Sequence, residues 1–198
     1  MLVDLKKRVL LTCHSNAGLD SILILMCKLF PEYKSKITRI SPSKYQIHEG
    51  VRDLFNDKKQ FKSIDEYNKN LDRKQILATI CTQASSNLLS KPQNSELSVE
   101  NVDLDQIKFD VCIVNEASQI VEPLLLSALL NAKKFILIGD YCQFRPTVKS
   151  KSGKKGLSVS LFEKLCNKRP EAISFLTYQV NFLYFCTMNS HSNKVSNE

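Results

Sequence analysis

FDVCIVNEASQ, residues 109–119, is an apolar run of strand length that stops in an acidic, amide-rich turn, and KFILIGDYCQFRP, residues 134–146, repeats that design. Short continuous apolar runs closed by turn residues read as strands buried on both faces. In a parallel α/β sheet the carboxyl ends of neighbouring strands form the crevice where ligands bind, so two such strands aim the side chains of their turns at one place. The first turn offers Asn115 and Glu116; the second offers Asp140 and Gln143.

Outward from this pair, the chain alternates strand-like and helix-like segments. Val9–Thr12 is a short buried strand, and Asn16–Phe30 carries Leu19, Ile22, Leu23, Leu25, Met26 and Leu29 at helical spacing before Pro31 stops it. Lys36–Ile40 predicts a second strand, Ser43–Phe55 a polar helix, and Phe61–Leu71 a helix with Ile64, Tyr67 and Leu71 on one face; these middle helices are expected as surface cover. Gln75–Ile80 returns to strand character, and the Ser-, Asn-, Asp- and Glu-rich stretch Ser85–Asp105 reads as a loop. Gln119–Leu130 is apolar enough to predict a helix buried on more than one face, followed by a strand at Lys134–Ile138, a helix at Ser158–Cys166 and a strand at Ala172–Thr177. Such alternation predicts an α/β fold whose mostly parallel sheet carries helices on both faces.

The chain's 198 residues suit one domain. Its 28 basic and 20 acidic residues leave a net charge of +8, which favours polyanionic partners. Seven cysteines are scattered without a CxxC pair or a Cys/His cluster, so neither a disulfide framework nor a zinc site is indicated, and Cys27, Cys81 and Cys112 are expected as small core hydrophobes in a reducing compartment. Apolar runs end well short of the ~20 residues a membrane helix needs, so a soluble, intracellular protein without a membrane partner is expected. VKSKSGKK, Val148–Lys155, concentrates four lysines that could touch DNA phosphates with steep salt dependence; such a run is more often a solvated loop, and that is the expectation here.

The two turns resemble the DEAxQ and GDxxQ boxes of superfamily 1 helicase motor domains, closest to the eukaryotic DNA replication ATP-dependent helicase/nuclease branch, with the nonsense-mediated-decay helicases as kin. RVLLTCHSNAGLDSIL at Arg8–Leu23 resembles that family's first nucleic-acid-contacting motif, and ILATICTQ at Ile76–Gln83 its next. KGLSVSLFEKL at Lys155–Leu165 and LTYQ at Leu176–Gln179 complete an ordered series. The resemblance implies a RecA-like P-loop NTPase domain over residues 1–179, lacking its first strand and its phosphate loop, since no GxxxxGK[ST] string occurs and KSGKKG at Lys151–Gly156 lacks its spacing. Residues 180–198 diverge, with Val180 and Asn181 where the family carries an arginine, and are expected as a disordered tail.

By the same resemblance the complete enzyme binds ATP and Mg²⁺ and translocates on single-stranded DNA, or RNA, in replication and repair in the nucleus. Glu116 is then the residue that polarises the attacking water and Gln143 a catalytic sensor of the γ-phosphate, with Asn115, Gln119 and Asp140 around the nucleotide. Asn115 stands where the family has the Mg²⁺-holding Asp; an amide keeps one acceptor oxygen but loses the charge a hard cation prefers, so the metal site is weakened. Asp140 also suits a simple turn cap. Thr12, Ser15 and Asn16, with Thr79 and Thr82, match the nucleic-acid face, where short polar side chains suit contacts to phosphate and sugar; Ser15 or Asn16 equally suits a helix cap. The chain alone is expected to be inactive and to depend on the missing parts of the motor. The alternative is a non-catalytic nucleic-acid- or protein-binding module derived from a helicase. A fragment would also leave a sheet edge exposed and prone to aggregate.

Overall fold

The computed structural model describes residues 4–84 and 109–176. Five parallel strands form one sheet: β1 (Val9–Cys13), β2 (Ile37–Arg39), β3 (Ile76–Ile80), β4 (Phe109–Asn115) and β5 (Ala132–Leu137), in the order β2-β3-β1-β4-β5. Cys13 registers with Ile80 on one side and Asn115 on the other, and Val114 with Leu137. The carboxyl ends of β1, β3, β4 and β5 therefore lie along one edge.

Period-two alternation divides the core between the two faces of the sheet. Val9, Leu11, Cys13, Ile76 and Ala78 pack with Leu19 and Leu23 of α1 (Asn16–Leu29). Leu10, Leu77, Cys112 and Val114 point the other way, toward Tyr67 and Leu71 of α2 (Ile64–Asp72), Cys81 and Ala84 of α3 (Cys81–Ala84), and Leu125, Ala128 and Leu129 of α4 (Glu122–Leu129). Each fully buried Leu or Val in these layers stabilises the fold by about 1.5–3 kcal/mol before entropy is counted.

One buried charge ties the first layer together. Arg39, fully buried at the end of β2, donates from Nε to Asp20 Oδ1 at 2.9 Å, from Nη1 to the Ile40 carbonyl at 2.7 Å and from Nη2 to Asn16 Oδ1 at 2.6 Å. The other Asp20 oxygen accepts the His48 backbone N–H at 2.8 Å. A guanidinium with three satisfied branches escapes the penalty of an unpaired buried charge.

Several expectations change. Residues 43–55 form two 3₁₀ segments, Lys44–Gln46 and Glu49–Leu54, rather than one polar helix, because the His48 N–H is taken by Asp20 and its ring accepts from Gly50 N. They are more than surface cover, since Ile47, Val51 and Leu54 are buried under α1 and β2. The apolar helix begins at Glu122 instead of Gln119, with Pro123 in its first turn, and it buries a single face: Leu126 and Leu130 are exposed. The lysine run is helical from Lys151, as α5 (Lys151–Leu157). The next helix, α6 (Leu161–Lys168), starts three residues later than expected because the Ser160 hydroxyl caps it, accepting from Glu163 N at 3.1 Å. Cys81 and Cys112 are core residues as expected, whereas Cys27 is half-buried.

The chain divides into two units between Leu165 and Cys166. In the second, the described residues run from the end of α6 through a 3₁₀ turn at Pro170–Ala172, where Arg169 pairs with Glu171 at 3.4 Å. Residues 173–176 are irregular, with Phe175 and Leu176 exposed, so the strand expected from Ala172 is absent among the described residues. The expected loop at Ser85–Asp105 and the tail at 180–198 lie outside the described residues, as does all of LTYQ beyond Leu176.

Candidate nucleotide and nucleic-acid site

β4 ends by reversing sharply. Glu116 adopts φ 56° and ψ 34°, left-handed geometry that costs a non-glycine residue roughly 1–2 kcal/mol. The turn is over-determined by its neighbours: Gln119 N donates to the Glu116 carbonyl at 3.0 Å, and Ala117 N donates to the Ile138 carbonyl at 2.9 Å. Ile138 N in turn donates to the Val114 carbonyl at 2.8 Å, which locks the end of β5 beside the end of β4. Gly139 is required here, since a Cβ would fall 2.9 Å from Ser118 N. Backbone contact thus joins the NEASQ and GDYCQ turns directly.

Within the second turn Asp140 accepts one hydrogen bond at each oxygen: Oδ1 from Cys142 N at 2.8 Å and Oδ2 from Gln143 Nε2 at 2.9 Å. It supports the turn and also orients the exposed Gln143. Arg145 then pairs with the buried carboxylate of Glu163 at 2.7 Å, tying the turn to α6.

The Glu116 carboxylate turns toward β1. Cys13 Sγ donates to Glu116 Oε2 at 3.2 Å, and Asn115 Nδ2 lies 3.9 Å from the same sulfur. Burial, with the carboxylate adding to it, pushes the Cys13 thiol up to about 11, so it stays a neutral donor. Gly18 makes room for this cluster, because a Cβ there would meet Cys13 Sγ at 2.8 Å and Glu116 Oε2 at 3.1 Å. Cys13 and Gly18 were missed as site residues; the only signal in the sequence is a glycine inside a helical pattern, which marks a close approach.

The predicted nucleic-acid residues divide into two groups. Thr12 and Thr79 are 0% and 1% exposed, with their hydroxyls bonded to Cys81 Sγ and Gln83 Oε1, so in this conformation they support the surface rather than line it. Ser15 caps α1, accepting from Gly18 N at 3.1 Å, Asn16 is held by Arg39, and Thr82 is exposed on α3. Arg39 and Asp20 were not legible as site residues, since their role depends on a contact 19 residues apart in sequence.

The donor set does not by itself fit Mg²⁺. Asn115 supplies a neutral amide, Glu116 faces the Cys13 thiol, both Asp140 oxygens are engaged, and the described residues contain no group of three potential metal ligands. A cation that favours carboxylate and phosphate oxygen would need most of its shell from elsewhere.

Residues 65–151 match the AAA domain family. The DNA replication ATP-dependent helicase/nuclease dna2 of Schizosaccharomyces pombe is 34% identical over 98% of this chain, and its Saccharomyces cerevisiae counterpart DNA2 is 31% identical over 90%. The chain is similar to the superfamily 1 helicase motors, in the DNA replication helicase/nuclease branch. It corresponds to part of a helicase domain, spanning 12% and 11% of the length of these two relatives. The helicase assignment agrees with the parallel sheet and with the two adjoining turns, and the fold is RecA-like. The solved Pyrococcus furiosus Hef helicase domain is similar at 15% identity over 76% of this chain and 32% of its own, at a TM-score of 0.33 that is too low to bear on the argument. Among the described residues no helix is long and apolar enough to cross a membrane.

Proposed function

We propose that this chain supplies the phosphate-sensing half of the first motor domain of an ATP-dependent DNA helicase/nuclease acting in nuclear replication and repair. The observation that carries the reading is the direct backbone link between the turn holding Asn115, Glu116 and Gln119 and the turn holding Asp140 and Gln143, at the carboxyl edge of a parallel sheet. In that position Glu116 would orient a water and Gln143 would report the γ-phosphate of a nucleotide held largely by the rest of the motor. Ser15, Asn16 and Thr82 would meet single-stranded DNA with sequence-independent polar contacts.

The outer strand β5 supports dependence on further parts of the motor. Phe135 and Ile136 are 51% and 48% exposed, and no described strand pairs with the outer side of β5. With Asn115 in place of a carboxylate, the chain alone is expected to show no DNA-stimulated ATPase. Turnover clearly above a Glu116→Gln control would refute that expectation. The motor reading itself is tested by titrating a fluorescent ATP analogue with and without Mg²⁺: Asn115→Asp should introduce Mg²⁺-dependent tightening, and an identical titration for both proteins would sink it. A non-catalytic binding module is favoured by one observation, the same Asn115, and it predicts single-strand binding that depends on Ser15 and Asn16 and ignores Glu116.

A further inference from the structure

The segment directly after the second turn has a charge distribution that the motor reading does not use. From Tyr141 to Phe162 the chain holds Arg145, Lys149, Lys151, Lys154 and Lys155 and not one Asp or Glu. Arg145 is neutralised by Glu163, but Lys149, Lys151, Lys154 and Lys155 are exposed and form no ion pair among the described residues. α5 sets Lys151, Lys154 and Lys155 at i, i+3 and i+4, on one face, with Lys149 two residues before it. Like charges at those spacings destabilise a helix, and a seven-residue helix has little stability to spare. Ser150 offsets part of this by capping, accepting from Gly153 N at 3.4 Å. Lys154 and Lys155 lie in the last turn, where the helix dipole favours cations, yet no carboxylate among the described residues neutralises any of the four lysines.

We propose that Lys149, Lys151, Lys154 and Lys155 form a docking patch for the sugar-phosphate backbone of single-stranded nucleic acid, separate from the Ser15 and Asn16 surface. Unneutralised cations gathered on one short helix release counterions when they meet closely spaced phosphates, which gives affinity without sequence preference. Gly156 has open space around it, leaving the approach clear. An anionic membrane is the poorer fit, because α5 lacks an apolar face: Leu157 is its one large apolar residue and is half-buried. The inference goes beyond the motor reading and holds with or without ATP chemistry.

The test is fluorescence anisotropy of a labelled oligothymidylate with the 198-residue chain across a salt series. Each single-strand phosphate contact adds about 0.7 to the slope of log K against log salt, so K149A/K151A/K154A/K155A should flatten it by about 2 to 3. Between about 50 and 200 mM salt the unmodified chain should then lose roughly fifty-fold more affinity than the variant. A four-fold Lys→Gln version guards against a misfolded alanine variant, and a four-fold Lys→Arg version should retain both slope and affinity. An unchanged slope in the Ala and Gln variants overturns the proposal, as does loss of binding in the Arg variant. Equal or tighter binding to phosphatidylserine vesicles at the same salt also overturns it. S15A/N16A separates the two readings. If only that variant loses binding, the lysine patch falls while the motor face stands; if only the lysine variants flatten the slope, the patch stands and the Ser15/Asn16 face falls.

Discussion

β1 and β5 lie two places apart in one parallel sheet, yet β1 is buried at all five positions while β5 exposes Lys133, Lys134, Phe135 and Ile136. Val9–Leu11 and Phe135–Ile138 look alike as apolar runs. The difference is one of neighbours: β1 is flanked by β3 and β4 and has helices over both faces, whereas among the described residues β5 pairs only with β4. Hydrophobicity states what a strand prefers, and its partners decide whether the preference is met. An apolar edge with unpaired backbone groups is also a template for association.

The contrast can be broken most severely at the buried ion pair behind β1. Arg39→Ala leaves Asp20 charged and unpaired at 3% exposure, and the expected loss is about 3–5 kcal/mol in a urea melt. A loss under about 1 kcal/mol would mean that the layer beneath α1 is far looser than its geometry indicates. A matched pair sharpens the comparison next. Leu10→Ala in β1 should cost about 2–5 kcal/mol, and Ile136→Ala in β5 about 0.5 or less. Similar costs at the two sites would show that β5 is covered in solution.

Cys13 gives a pH-dependent version of the same contrast. Its folded pKa, about 11, lies above the ordinary 9.0, so the neutral thiol's contribution is fully present below pH 9 and is lost as pH rises toward 11. Integrated over that window the effect is on the order of 2 kcal/mol. The urea midpoint should therefore fall between pH 8 and pH 11 by less in Cys13→Ala than in the unmodified chain, and parallel curves would rule the coupling out. Buried Cys112, pushed up to about 12, acts in the same direction and remains in both proteins. The smallest effect on stability is expected at the edge itself: Ile136→Lys should change the melt by about 0.5 kcal/mol or less while reducing self-association in sedimentation velocity. Unchanged self-association would place the sticky surface elsewhere.

Strand positions and the pairing of the two polar turns were legible because apolar runs, turn residues and ordered boxes are local signals. Val9–Thr12, Gln75–Ile80 and Phe109–Asn115 needed little adjustment. Errors gathered where distant groups intervene. His48 is diverted by Asp20 and breaks the helix expected at 43–55, and α4 shows one buried face because nothing described covers Leu126 and Leu130. Thr12 and Thr79 match a nucleic-acid motif in sequence but sit inside the sheet, bonded to Cys81 and Gln83.

By itself the sequence determined the parallel α/β class, the helicase likeness and the chemical poverty of Asn115, because these rest on residue type and local order. Tertiary structure alone decided that Cys13 grips Glu116, that Gly18 and Gly139 must stay small, that Arg39 anchors Asn16, and that the lysines of α5 share one face. Each of those facts depends on atoms brought within a few ångströms by packing or by helical winding, and such proximity is not a property of any single segment of sequence.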